Sequence, residues 1–380
     1  LSLCIILLLL LKLNNIMNIS LIGYNITNFI ISLELIKKGF AVDILYENIN
    51  KKTKTNRTIG ISKNNFEFLS SNLKQLNSLS WPITKIKIFN QRNILNESVD
   101  FSNESKKNFF LIKYTDLFNL LERACKKHKK ISFKLKRNKE IENLAINNKY
   151  DFVINSDTKN ILTKKYFNKM IKKDYNSSAF TGILHHYKIK NNTAKQIFTK
   201  YGPLAYLPLS PTKTSIVYSV EKKYHLKLND IKKIIFEFNR DYQIKKLDEF
   251  EKFDLNFSFS RNVFYKNILC FGNLMHKIHP LAGQGFNMTL RDIKILNKLI
   301  DEKIKYGLGI DESFFIDFKN KIHHTNFIFA TGINLINEFF IIDSKLDSNI
   351  SKSIFKILNR SNIFKKYSNL FADRGININY

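Results

Sequence analysis

Phe271-Gly272-Asn273-Leu274-Met275-His276-Lys277-Ile278-His279-Pro280-Leu281-Ala282-Gly283-Gln284-Gly285-Phe286-Asn287 is the densest motif in the chain. Asn267–Phe271 before it has the apolar run of a short buried strand. After it, Phe286, Leu290, Ile293, Leu296, Ile300 and Ile304 recur at helical spacing. The chain holds only 12 glycines in 380 residues, well under the usual ~7%. Gly283 and Gly285 would nevertheless let the backbone approach a ligand closely, and Pro280 fixes the turn before them. A helix starting near Gly285 presents free N–H groups and a positive dipole end, a seat for negative charge.

Working outward, Asn18–Ile22 reads as a buried strand that runs into Gly23-Tyr24-Asn25-Ile26-Thr27-Asn28. A helix follows with Phe29, Ile30, Leu33 and Ile36 on one face, and Lys37-Lys38-Gly39 supplies its stop. Phe40–Tyr46 is a second strand with Glu47 at its end. Strand, tight turn, helix, strand and acid are the parts of a dinucleotide site. Further on, a helix is predicted from about Thr115 to Lys127 and a strand over Tyr150–Asn155, ending at Ser156-Asp157. Gln196 to Val220 reads as a small antiparallel sheet, and the chain from Glu312 as helices.

The central stretch resembles the second flavin motif of class A flavin monooxygenases of the p-hydroxybenzoate hydroxylase-like fold. Within that class it is similar to the ubiquinone-biosynthesis ring hydroxylases, whose pattern runs GDAAH, two residues, then HP-x-AGQG-x-N. His276, His279, Pro280, Ala282, Gly283, Gln284, Gly285 and Asn287 match in order, as does Arg291-Asp292 beyond them. Arg57-Thr58-Ile59-Gly60-Ile61-Ser62, Trp81-Pro82-Ile83 and the Gly202–Leu209 run are collinear weaker echoes. The resemblance implies an α/β fold: a Rossmann-like FAD-binding domain, an interleaved β-sheet substrate domain and a helical C-terminal tail. The expected boundaries are 17–75, 106–164 and 253–310 for the FAD-binding domain and 76–105 and 165–252 for the substrate domain. Residues 311–380 form the C-terminal helical region, and Met17 reads as the true start, leaving 1–16 outside the native fold.

It further implies FAD bound by Gly23, Asn25, Asn28, Glu47, Arg57, Asp157, Gly272, Asn273, Pro280, Gly283, Gln284, Gly285, Phe286 and Asn287. Pro280 through Asn287 would border the isoalloxazine, and residue 273 would reach the ribityl–pyrophosphate region. Reduced FAD and molecular oxygen would hydroxylate a polyprenylated phenol or quinol, the cofactor carrying the hard chemistry. The reductant would be NAD(P)H or a separate electron-transfer protein. His276, His279 and Pro280 are catalytic candidates by position.

Several positions depart from the pattern. Asn25 and Asn28 stand at the second and third glycines of the fingerprint, where their side chains would crowd the pyrophosphate and the helix–strand contact. Asn273 replaces an acid, which removes the charge from a hydroxyl contact, and Leu274 and Met275 replace two alanines. These changes motivate an alternative, a catalytically degenerate relative serving as a binding or scaffold subunit among ubiquinone-synthesis proteins.

Composition excludes other classes. Hydrophobic residues at 44% and charged ones at 25% exclude wholesale disorder. Cys4, Cys125 and Cys270 are odd in number and far apart, so neither a disulfide scaffold nor a metal site is expected. The net charge of +30 suits an anionic membrane surface. No recognition motif accompanies runs such as Lys126-Lys127-His128-Lys129-Lys130, so specific nucleic-acid binding is not expected. The expected location is the cytoplasm, peripheral on the inner face of the cell membrane.

Overall fold

The computed structural model describes residues 17–48, 55–91, 98–100, 109–147, 149–280 and 283–345. Residues 1–16, the motif residues Leu281 and Ala282 and the stretch 346–380 lie outside the described residues. The amino-terminal half runs β1 (Asn18–Ile22), α1 (Ile26–Lys37), β2 (Ala41–Tyr46), β3 (Thr58–Ser62), α2 (Lys63–Ser70), α3 (Leu76–Leu79) and β4 (Trp81–Ile83). Then come β5 (Lys85–Asn90), β6 (Ser98–Asp100), β7 (Phe109–Lys113), α4 (Tyr114–Lys126), β8 (Ile131–Leu135), α5 (Asn138–Ile146), β9 (Phe152–Asn155) and α6 (Ile161–Tyr166). The second half adds β10 (Met170–His186), β11 (Thr193–Thr199), β12 (Gly202–Ser210), β13 (Lys213–Glu221), α7 (Leu228–Glu237), β14 (Ile244–Leu247) and β15 (Glu251–Ser260). It ends with β16 (Phe264–Tyr265), β17 (Ile268–Cys270), β18 (His276–Lys277), α8 (Gln284–Lys305) and α9 (Glu312–Lys345).

A six-stranded sheet in the order β16-β17-β9-β1-β2-β8 is the dinucleotide-type layer. β17, β9, β1, β2 and β8 are parallel, and β16 turns back on β17. Parallel strands covered on both faces read as unbroken apolar runs, which is why Ile19, Leu21 and Ile22 are all buried. α1 is buried for most of its length, and its one internal acid, Glu34, accepts hydrogen bonds from Lys37 at 3.0 Å and Asn297 at 2.7 Å. Such pairing is what a carboxylate at 6% exposure requires.

The larger sheet runs β18-β15-β10-β13-β12-β11-β5-β6, with β14 on β10. β15 corrects one expected boundary. Residues 253–260 were grouped with the dinucleotide domain, yet β15 runs antiparallel to β10 from Glu251 to Ser260. The reason lies in the alternation of Phe253, Leu255, Phe257 and Phe259, the period of a strand with one buried face. A second adjustment concerns Trp81–Ile83, which pairs with β7 in a small β3-β7-β4 sheet between the two larger layers.

A cluster of Phe257, Phe259, Ile278, Met288, Phe329 and Ile333 joins β15, α8 and α9. It holds the motif loop against the large sheet, so the loop sits where the two layers meet. Cys125 and Cys270 are free buried thiols whose pKa burial raises.

Candidate active site

Gly283 is the N-cap of α8, with φ +63° and no side-chain capping bond. A Cβ there would meet only the Gly60 backbone at 3.5 Å, an ordinary contact, so the left-handed backbone is what calls for glycine. Four residues on, Asn287 ties the bend to β3. Its Oδ1 accepts from the Ser62 N–H at 2.9 Å, and its Nδ2 donates to the Gly60 and Gly283 carbonyls at 2.9 and 3.1 Å. Asn65 Nδ2 adds a 3.0 Å bond to Asn287 Oδ1. Through these bonds one fully buried amide fixes the start of α8 against β3. Beside it, Gln284 Oε1 and His279 Nδ1 are buried with no hydrogen-bond partner among the described residues.

The two histidines differ. His276 sits on β18, 1% exposed, with Nε2 at 2.6 Å from Asp292 Oδ2. Asn326 of α9 donates to the other carboxylate oxygen at 2.7 Å. His276 is therefore engaged in a buried relay joining β18, α8 and α9. His279 is 2% exposed, with its ring edge-on to Tyr175 at 5.1 Å. Burial alone pushes its pKa down to about 4, so the ring is neutral at physiological pH. Pro280 lies exposed at the end of this segment.

The opening turn is closed by its own asparagines. Gly23 has φ +117°, and a Cβ there would lie 2.8 Å from Asn25 Nδ2. Asn25 caps α1, its Oδ1 accepting from the Asn28 N–H at 3.1 Å, while its Nδ2 donates to Ser156 Oγ at 2.9 Å. Asn28 is fully buried and donates to the Gly23 carbonyl at 2.8 Å. Here the structure refines an expectation: rather than being forced apart, the helix–strand contact is filled by the Asn28 amide. Gly272 approaches the same helix end, where a Cβ would stand 3.2 Å from Thr27.

The remaining candidates are more dispersed. Asn273 and Arg57 are exposed, and the Arg57 guanidinium lies 5.4 Å from the Tyr114 ring centroid. Glu47 turns to the first residue of α5, accepting from the Asn138 N–H at 3.3 Å and from its side-chain amide. Asp157 closes a local turn, its Oδ1 accepting from the Lys159 N–H at 2.8 Å. Gly285 and Phe286 occupy the first turn of α8, partly exposed. Sequence reasoning missed Ser156, Asn65, Tyr175 and Asn326, the partners of the motif side chains. Only Asp292 carried a signal, as part of the Arg291-Asp292 match.

Whether these residues suit FAD divides by the end of the molecule considered. At the ring end the polar groups fit: the helix N-terminus can donate and Gln284 Oε1 can accept, and with His279 Nδ1, both without partners among the described residues, they suit the polar edge of a flavin ring. At the pyrophosphate end the glycine approach is kept at Gly23, but Asn25 already uses one N–H of the helix start.

Comparison with known proteins gives a consistent picture. No family model matches the chain. It is 23% identical over 198 residues to the mitochondrial ubiquinone biosynthesis monooxygenase COQ6 of Caenorhabditis elegans, spanning 41% of this chain and 44% of that protein. With the Schizosaccharomyces pombe protein of the same name, identity is 22% over 264 residues, 57% of this chain and 55% of that protein. The chain thus spans about half the length of these curated relatives. Among solved structures, p-nitrophenol 4-monooxygenase PnpA from Pseudomonas putida superposes with a TM-score of 0.74 at 10% identity, covering 95% of this chain and 98% of that one. PqsL of Pseudomonas aeruginosa in complex with 2-aminobenzoylacetate gives 0.66 at 10% identity, covering 86% and 96%. The fold is that of FAD-dependent monooxygenases, and the sequence homology to the ubiquinone biosynthesis monooxygenases is weak but consistent.

Proposed function

We propose that this chain, a distant homologue of the ubiquinone biosynthesis monooxygenases in the FAD-dependent monooxygenase fold, hydroxylates the ring of a polyprenylated phenol or quinol on the way to ubiquinone. The observation that carries the reading is the left-handed Gly283 bend, which starts α8 without a side-chain cap, together with Gln284 Oε1 and His279 Nδ1, buried and without hydrogen-bond partners among the described residues. When bound, FAD supplies the oxygen-transfer chemistry, with NAD(P)H or an electron-transfer protein as reductant. The protein's share is to bind, orient and exclude water. Gly283 to Asn287 would hold the ring edge, and the dipole of α8 favours the negative charge that a reduced ring carries. Gly272 and Asn273 would border the ribityl chain, and Gly23, Asn25 and Asn28 the pyrophosphate. His279, neutral and desolvated, is suited to exchange a hydrogen bond without adding charge. His276, locked to Asp292, positions the strand that leads into the loop.

The test is to purify the chain and titrate it with FAD. A yellow protein with one flavin per chain, and loss of one hydroxylated quinone intermediate on gene deletion, is the expected result. A colourless protein that ignores added FAD defeats the reading.

One observation favours a second reading, a relative that keeps the fold as a scaffold subunit among ubiquinone-synthesis proteins. Asn25 joins α1 to Ser156 across the turn where a pyrophosphate would have to sit. The same titration separates the two readings.

A further inference from the structure

The last described helix, α9, has two unlike sides. Its inner side is fixed to the protein by Phe314, Phe318 and Ile322 in the main core and by Phe329, Ile333 and Phe340 in the cluster under the motif. Polar anchors lie on that side too: Asn326 to Asp292 at 2.7 Å, Asn334 to the Tyr175 hydroxyl, and Glu338 to Lys173. The outer side carries Ile328, Leu335 and Ile342, exposed by 50%, 61% and 54%, with Ile336 beside them. A spacing of seven residues puts the first three on one stripe.

The charge pattern is as uneven. Lys and Arg make up 62 of the 380 residues, yet none falls between Lys321 and Lys345. Glu338 is the one formal charge from Ile322 to Ile342, and Lys173 neutralises it. A soluble surface helix in so basic a chain would be expected to carry lysines on its outer face, and this one carries aliphatic side chains. Length and composition would let Glu312–Ile342 cross a bilayer. The inner anchors to Asp292, Tyr175 and Lys173 hold it along the protein instead.

We propose that the outer face of α9, centred on Ile328, Leu335 and Ile342, docks flat on an anionic lipid surface. The occupant follows from charge. A net +30 repels a second copy of the chain but draws it to anionic headgroups, and the lysine-free stripe can then enter the apolar boundary beneath them. The anchored side places the His276–Asp292 relay directly behind the docked helix.

Flotation of the full chain with vesicles tests this without any flavin step, so its outcome is independent of the oxygenase reading. The expected result is binding to phosphatidylcholine vesicles that contain phosphatidylglycerol, weakened by salt and much weaker on phosphatidylcholine alone. The double variant Leu335→Asn/Ile342→Asn should bind at least about tenfold more weakly with an unchanged melting curve. A double variant that binds like the wild type overturns the proposal, because charge alone then suffices. Failure of the wild type to bind anionic vesicles overturns it too. In that case a dimer dissolved by the same substitutions would assign the face to a second copy, and hydrogen-exchange protection of α9 lost on removing residues 346–380 would assign it to that segment.

Discussion

Asn25 and Ser156 join the start of α1 to the end of β9 through a 2.9 Å hydrogen bond that crosses the dinucleotide turn. Since the same amide also caps α1, its side chain stabilises the chain without cofactor and competes with an incoming phosphate for the same N–H. Asn25→Gly should therefore tighten FAD binding by about three- to tenfold. Glycine is itself an adequate cap, so the loss of stability should be about 1 kcal/mol, most of it from the lost bond to Ser156. Quenching of flavin fluorescence against protein concentration measures the change; weaker binding by the variant would show that the amide is a ligand and not a competitor.

The relay behind the loop predicts a large stability effect. His276→Ala leaves the fully buried Asp292 with Asn326 as its remaining side-chain donor. Removing one partner of a buried pair costs about 3–5 kcal/mol, read from the shift of the urea midpoint. Asn326→Ala removes one hydrogen bond and leaves His276 in place, so about 1–3 kcal/mol is expected. If both variants unfold at the wild-type midpoint, the relay is not a structural tie.

The architecture was largely legible because its signals are local. The apolar run Asn18–Ile22, the turn glycine and the buried helix announce the parallel layer, and the motif from Phe271 to Asn287 announces the junction. What escaped was pairwise and distant. Nothing near Asn25 points to Ser156, and nothing near His276 points to Asn326, because these contacts exist only once layers stack. Glu47, expected at a ribose, also accepts from Asn138 at the start of α5, a contact that no local pattern announces. The boundary expected at 252/253 falls inside β15, whose alternating Phe253, Leu255, Phe257 and Phe259 carry it into the large sheet.

Gly283 and Gly60 face each other, and their alanine variants should fail for different reasons. At Gly283 a methyl group has room, and the cost is the left-handed backbone, about 1–2 kcal/mol. At Gly60 the added Cβ would collide with the Phe109 ring, so the ring must move. Phe109→Ala should therefore rescue Gly60→Ala in part and leave the Gly283→Ala penalty untouched, a double-mutant cycle read by urea denaturation.

His279 gives the chain a pH dependence with a definite sign. Its folded pKa is depressed to about 4 from the ordinary 6.5 because the imidazolium is desolvated. Between these values the unfolded chain binds the proton and the folded chain does not. Stability is thus fully present above about pH 6.5, declines as pH falls toward about 4, and levels off below that. Over this window the loss is on the order of 3 kcal/mol, from 1.36 kcal/mol for each pKa unit. Urea midpoints followed from pH 7 to pH 4 should fall more steeply in the wild type than in His279→Gln, which keeps a polar group but cannot titrate. Parallel slopes would mean that the His279 ring is hydrated and takes up its proton in the folded state.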